Sequence, residues 1–267
     1  MKQIVSCFSK QLLILVVVAM LVTLAACQAA PTESTTPTPT PGQTTPTATF
    51  RISITLPEAD STVPAGDITV VAKITPRTFK LVDKLGEPSA PDEGHLHFYL
   101  DVAPPTIPGQ PAVTPAGTFA ATNERFHTWE DVAEGTHTLA VQLVNNDHTP
   151  FDPPVVAEIT VTSSSAAGQS VTRYLTVEDR ERDKDTITVP AGALVTLILN
   201  NKDDTTHGFQ IRELGTWEAE LYYQGDHLLG PRKIVSQFRA PTTPGDYQSA
   251  CGSHWSYELG HFIVTEE

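Results

Sequence analysis

Three phrases near the C-terminal end hold residue types that could bind a soft or intermediate metal ion: Thr206-His207-Gly208-Phe209, Pro244-Gly245-Asp246-Tyr247 and Cys251-Gly252-Ser253-His254. A thiolate and imidazoles are the donors such an ion takes. The C-x-x-H spacing lets one loop deliver one of each, and the upstream His207 closes a trigonal set of two His and one Cys. The plain alternative for Cys251 is a buried core thiol. Tyr257, Glu258 and Leu259 fill the stretch from which a fourth donor would come, with His261 beyond it. A Glu258 carboxylate would favour the oxidised ion and lower its potential, whereas a non-bonding Leu259 would do the opposite. Both options stay open at this point. His261 alternates with Phe262 on a final strand and reads as a surface or hydrogen-bonded residue. His227, in a Gly-Asp-His loop, reads as solvent-exposed.

A weaker constellation lies in the first half of the chain. Gly94-His95-Leu96-His97-Phe98-Tyr99-Leu100-Asp101 alternates strictly, so on a strand His95, His97, Tyr99 and Asp101 share one face while Leu96, Phe98 and Leu100 turn to the core. His148 follows in Asn146-Asp147-His148-Thr149-Pro150. Two His at i and i+2 with a third elsewhere can hold a metal. H-x-H alone is a weak signal, however, and the plainer reading has His95, His97 and His148 hydrogen-bonding one another and the turn. His137 is weaker still. No nucleophile elbow, phosphate loop or zincin helix is found that would make this half of the chain an enzyme.

The elements that would position these residues are short strands. Arg51–Leu56, Ile68–Ile74, His95–Val102, Thr136–Val144 and Val155–Val161 have β patterns separated by Pro, Gly and Asp turns. Ser163–Gln169 reads as a small flexible joint. The pattern then resumes at Val171–Val177, Thr186–Val189, Leu194–Leu199, Gly208–Ile211, Lys233–Phe238 and Phe262–Thr265. The expected fold is all-β, two sandwiches at 50–162 and 170–267 joined by a 163–169 linker. Arg212–Pro231 is long for a hairpin loop, and with Trp217, Tyr222 and Tyr223 it is expected to pack across the second sandwich.

The second half resembles the cupredoxins, the blue-copper family that includes plastocyanin. The resemblance rests on Ile187-Thr188-Val189-Pro190-Ala191-Gly192, on Val195-Thr196-Leu197, on the Pro-Gly turn into an aromatic, and on the His and Cys-x-x-His phrases. It implies a Greek-key sandwich and one copper ion with His207, Cys251 and His254 as equatorial ligands. The Thr-His-Gly-Phe and Cys-Gly phrases look most like oxidase subunit II and nitrous oxide reductase. Those bind two coppers through two cysteines four apart; Tyr247 stands at the earlier position here, which excludes a binuclear centre. The usual axial Met is missing, leaving Glu258 or Tyr257 as candidates. A carboxylate ligand is similar to that of nitrosocyanin, a red-copper relative, although its Glu lies where this chain has His207. The Gly-His-x-His strand and the Asp-His-x-Pro-x-x-Pro-Pro-Val turn resemble a periplasmic family of unassigned function, which implies an immunoglobulin-like first sandwich.

The start of the chain bears on location. Lys2 and Lys10 precede an apolar run from Leu12 to Leu24, and Leu24-Ala25-Ala26-Cys27 looks like the lipobox of bacterial lipoproteins. Residues 1–26 are thus expected to be a signal peptide and Cys27 to be lipidated. The chain would be extracytoplasmic, anchored to a bacterial membrane at the cell surface or on the periplasmic face. Residues 27–49, a Thr/Pro-rich tract, would form a tether reaching up to ~70 Å at ~3.1 Å per residue. Cleavage would remove both Met residues, Met1 and Met20, and leave Cys251 as the one thiol besides Cys27. It would leave 15 basic against 31 acidic residues, a charge of −16. That balance excludes a nucleic-acid partner and suits a redox partner with a basic docking patch. The readings that follow are a membrane-tethered electron carrier, a copper-handling or red-copper catalytic protein, and a metal-free scaffold or adhesion lipoprotein.

Overall fold

The computed structural model describes residues 50–215, 218–253 and 258–266. The expectations for Cys27, the signal peptide, the tether, Trp217, His254 and Tyr257 fall outside these residues. In the first half the strands are β1 (Arg51–Leu56), β2 (Thr62–Pro64), β3 (Gly66–Thr75), β4 (Lys80–Leu81), β5 (Glu93–Leu100), β6 (Phe119–Thr122), β7 (Phe126–Val132), β8 (Gly135–Val144) and β9 (Pro150–Ser164). One sheet runs β1-β3-β7; the other runs β2-β9-β8-β5-β4, with β6 added beside β5. Period-2 alternation aims Ile68, Val70, Ala72 and Ile74 of β3 inward, and with Trp129 of β7 they meet Leu96 and Phe98 of β5 and Leu139, Val141 and Leu143 of β8. Each large side chain so buried stabilises the sandwich by about 1.5–3 kcal/mol.

Strand β5 is buried on both faces. Leu96 and Phe98 turn to the core as the alternation predicts, while His95, His97 and Tyr99 are fully buried on the opposite face. Gly94 is required for the pairing with β8, since a Cβ there would stand 2.1 Å from the Val144 carbonyl oxygen.

The segment read as a joint is ordered. β9 continues to Ser164, whose Oγ accepts from Ala166 N–H (3.2 Å) to cap a single 3-10 turn, Ser165–Ala167. The strands that follow are β10 (Ser170–Glu178), β11 (Glu181–Arg182), β12 (Thr186–Pro190), β13 (Leu194–Asn201), β14 (Thr206–His207), β15 (Gln210–Glu213), β16 (Leu221–Gln224), β17 (Leu228–Leu229), β18 (Arg232–Arg239), β19 (Gly245–Ala250) and β20 (Leu259–Thr265). They form a sheet β11-β10-β13-β18, a facing sheet β12-β20-β19-β15-β16, and the small ladder β14-β17. The pairs β10·β13 and β12·β20 are parallel, so in this Greek-key sandwich each pair is joined by a crossover through other strands and not by a hairpin. Val195, Leu197 and Leu199 of β13 pack with Ile187, Val189, Phe209, Ile211, Phe238, Phe262 and Val264 to form a separate core.

The long segment before β18 folds back as expected. Tyr223 stacks on Phe238 with centroids 4.0 Å apart, and Tyr222 meets Tyr247 edge-on at 5.0 Å.

Candidate metal centre

His207 and Cys251 come from opposite ends of the sequence pattern to one edge of the second sandwich. Strand β14 carries His207 and pairs with β17 through Thr206↔Leu229 and His207↔Leu228. The turn before it is built by Asn201, fully buried, whose amide donates to the carbonyls of Thr205 (2.8 Å) and Leu228 (2.9 Å) and whose oxygen accepts from Asp203 N–H (2.9 Å). Gly230 completes the junction, because a Cβ there would stand 2.4 Å from the Asp203 carbonyl oxygen.

Cys251 follows the last residue of β19, and Glu258 precedes β20. Cys251 N–H donates to Glu258 O (3.3 Å), extending the β19·β20 pairing by one step beyond Ala250↔Leu259. That rung brings both side chains in beside His207, where the three residues are at most 2 % exposed. One donor atom from each of His207, Cys251 and Glu258 lies within 4.8 Å of the other two.

The histidine ring is held from both sides. Its Nε2 lies 2.9 Å from Asp203 Oδ2 and 3.1 Å from Thr205 Oγ1, and its Nδ1 lies 2.9 Å from the Glu258 carboxylate. Carboxylates, which only accept, stand at both ring nitrogens. With an ion bound beside Glu258, Asp203 would keep the hydrogen on Nε2 and leave the Nδ1 lone pair to the ion. Asp203 is itself well supported. Burial alone would raise its carboxyl, but the backbone N–H groups of Arg180 and Asp179 and the His207 ring outweigh that and hold it below the ordinary aspartate range.

The positive charge in the site comes from Arg182, which donates to Ser249 Oγ (2.9 Å) and acts electrostatically on Glu258 and Cys251. Desolvation lowers its pKa from the usual arginine value, opposed by Asp185, Glu258, Asp183 and Cys251. Gly260 leaves room for it, as a Cβ there would be 2.6 Å from Arg182 Nη1. Its positive charge acts on the same thiol and carboxylate that could hold an ion.

Of the residues singled out in the sequence, then, His207, Cys251 and Glu258 meet, while His254 and Tyr257 lie outside the described residues. Leu259 is 39 % exposed on β20. His261 is bound to Asp246 (2.9 Å) at the surface. His227 is exposed as expected, yet its ring rests against the backbone at Gly208 and Gly252, where an added Cβ would come within 2.8 Å of it. His137 pairs with Asp101 at 2.7 Å. His95, His97 and His148 form a second group of converging donors. Sequence reasoning missed Asp203 and Arg182; the polar turn Asn201-Lys202-Asp203-Asp204 just before the His phrase was a visible signal for the first, and Arg182 offered none.

A buried thiol, imidazole and carboxylate on one spot form the mixed soft and hard donor set that an intermediate ion such as copper takes. Residues 153–264 match the family profile described as Cupredoxin-like domain. This stretch is a cupredoxin-like domain. The match begins within β9 and spans less than half of the chain. Similar solved structures include auracyanin A, a "blue" copper protein from Chloroflexus aurantiacus, at 20% identity over 36% of this chain and 99% of that one, with a TM-score of 0.33. Sodium-dithionite-reduced auracyanin from Roseiflexus castenholzii shares 20% over 37% and 99%, with a TM-score of 0.31. Rusticyanin from Thiobacillus ferrooxidans shares 20% over 37% and 79%, also at 0.31. No curated protein matches the chain.

Proposed function

We propose that this protein is a membrane-tethered one-electron carrier. Its cupredoxin-like domain would hold a single copper ion through His207, Cys251 and His254, with Glu258 as the fourth donor. The observation that carries the reading is the convergence of the buried Cys251, His207 and Glu258 donor atoms within 4.8 Å of one another. Copper bound there would supply a Cu(I)/Cu(II) couple. The chain's own residues do the rest. Asp203 fixes the His207 ring and its hydrogen, Arg182 offsets the negative charge of thiolate and carboxylate, and the β19·β20 rung keeps Cys251 and Glu258 at a fixed spacing. Donors held this way change little between oxidation states, which favours fast outer-sphere transfer.

The remaining features of the reading rest on sequence. A lipid on Cys27 would anchor the chain outside the cytoplasm, and residues 27–49 would let it reach a partner. An acidic surface would steer it to a basic patch. The first sandwich, read as immunoglobulin-like, would serve as a spacer or docking module. The Glu258 carboxylate also supports a second reading, red-copper chemistry or copper handling, in which that donor gives way to an incoming ligand.

Voltammetry of the copper-loaded chain separates the two. Electron transfer predicts a reversible one-electron wave that added small anions leave in place. A wave that is absent, or that moves with anion concentration, would favour the second reading.

A further inference from the structure

His95, His97 and His148 belong to the first sandwich and play no part in the proposal above. β5 supplies the first two, both fully buried. The turn between β8 and β9 supplies His148 in a left-handed conformation (φ 66°). That turn is built for the purpose of holding one shape. His148 N–H donates to Asn145 O (3.0 Å), Asp147 Oδ1 accepts from Thr149 N–H (3.1 Å) and Oγ1–H (2.7 Å), and Ala112 N–H donates to His148 O (2.8 Å). Loop, turn and strand thus converge on three ring nitrogens.

Those nitrogens form a closed triangle. His95 Nε2 to His97 Nε2 is 3.0 Å, His95 Nε2 to His148 Nδ1 is 3.1 Å, and His97 Nε2 to His148 Nδ1 is 2.9 Å. A ring nitrogen either carries a hydrogen and donates, or carries a lone pair and accepts, but never both. Around a triangle donors and acceptors cannot alternate, so at least one edge must join two like atoms. Hydrogen bonding alone, the plainer reading of these residues, therefore leaves at least one of the three contacts between like atoms.

One corner is assigned by its surroundings. His97 Nδ1 lies 2.7 Å from the Ala112 carbonyl oxygen, which can only accept, so Nδ1 holds the hydrogen and Nε2 presents its lone pair to the triangle. This is the orientation a backbone carbonyl imposes on a metal-binding histidine. His95 makes no hydrogen-bond contact among the described residues except to the other two rings. Protonation does not resolve the conflict, because a ring nitrogen that gains a hydrogen becomes a donor and the triangle still joins two like atoms.

The geometry points to a second metal site, in which His95 Nε2, His97 Nε2 and His148 Nδ1 together hold one divalent first-row transition ion of the kind that takes imidazole, such as Zn(II). An ion about 2.05 Å from each nitrogen would stand about 1.1 Å out of their plane. The angles at the ion would then be near 90°, a facial set of three; opening each edge by about 0.3 Å gives a tetrahedral one. All three lone pairs converge on it and the like-atom edge disappears. The site shares no residue with the proposed copper centre and stands if that reading fails.

Zn(II) titration of the full chain carrying Cys251→Ser tests it. One equivalent is expected to bind, with nitrogen and oxygen but no sulfur neighbours at the zinc X-ray absorption edge. Adding His148→Asn should weaken binding at least tenfold. Asparagine tolerates the left-handed turn, so the sandwich should keep its circular dichroism. In the Cys251→Ser chain, whatever the His148 variant does, the ring proton resonances of His95 and His97 should move on adding one equivalent while those of His137 and His261 stay. No zinc binding at neutral pH, an affinity unchanged by His148→Asn, or stationary His95 and His97 resonances would overturn the proposal.

Discussion

Replacing Asp203 with Asn should loosen both the turn that carries His207 and the hold on its ring. The Asp203 carboxylate takes three N–H donors: Asp179 N on Oδ1 (2.6 Å), and Arg180 N and His207 Nε2 on Oδ2 (2.9 Å each). An asparagine has one acceptor oxygen, so its NH₂ must face a donor on one side or the other. The better choice keeps Arg180 and His207 on the oxygen and sets the amide against Asp179 N–H. A hydrogen bond to a charged group is worth about 1.5–3 kcal/mol and a neutral one about 0.5–1.5 kcal/mol. Asp179 and Arg180 sit on the exposed β10–β11 turn, both with positive φ, where water can replace part of what is lost. The expected cost is therefore about 2 kcal/mol, the lower end for one charge-assisted bond lost and two weakened. Urea unfolding followed by circular dichroism measures it. Metal affinity should fall about 10- to 100-fold in parallel, because the ring loses its carboxylate partner. A stability change below about 0.5 kcal/mol together with unchanged copper affinity would refute the role given to Asp203.

Three further outcomes are expected. Glu258→Gln exchanges a charged donor for a neutral amide, which favours Cu(I) and should raise the potential of a bound copper ion by on the order of 100 mV; voltammetry showing no rise would contradict the placement of this carboxylate. Gly94→Ala sets a Cβ 2.1 Å from the Val144 carbonyl oxygen and 3.2 Å from the Phe79 ring, so β5 must shift, at about 3 kcal/mol in urea unfolding; a variant as stable as the parent would show that the strands are not so close. His137 is lowered by burial, but its contacts with Asp101 and the Ala133 carbonyl outweigh this and raise its pKa above the ordinary histidine value. Its contribution to stability is present in full below the unfolded value near 6.5 and is lost as pH rises through the folded one. Asp101→Asn should accordingly destabilise more at pH 6 than at pH 9, and an equal loss at both would count against the pair.

Much of the strand framework was legible because burial imposes period-2 alternation. β1 has the bounds read from Arg51-Ile52-Ser53-Ile54-Thr55-Leu56, and β3 shows its inward Ile68, Val70 and Ile74 directly. β7 was missed because its register with β3 is broken: Asp131 has φ 52°, and the buried Trp129 and Val132 fall three residues apart rather than two. β19 was missed because two of its buried residues, Ser249 and Ala250, are too small and polar or too common to mark a strand. At the metal centre, His207 and Cys251 were visible by residue type and spacing. The choice between Glu258 and Leu259 was not, since it depends on which of two adjacent side chains the end of β20 turns inward. Arg182 reaches the site from β11, 67 residues before its partner Ser249, and only the folded sheet brings it there. The three His of the first sandwich were legible as a list, but their conflict arises from three distances that exist only in three dimensions.

The measurement closest to the central claim is a Cu(II) titration of the full chain, read by visible absorption and electron paramagnetic resonance, with Cys251→Ser alongside. The account predicts an intense thiolate-to-copper band that saturates at one equivalent and vanishes in the variant. Folded protein with Cys251 reduced and one equivalent of copper, yet showing no such band, would contradict a copper centre at His207, Cys251 and Glu258.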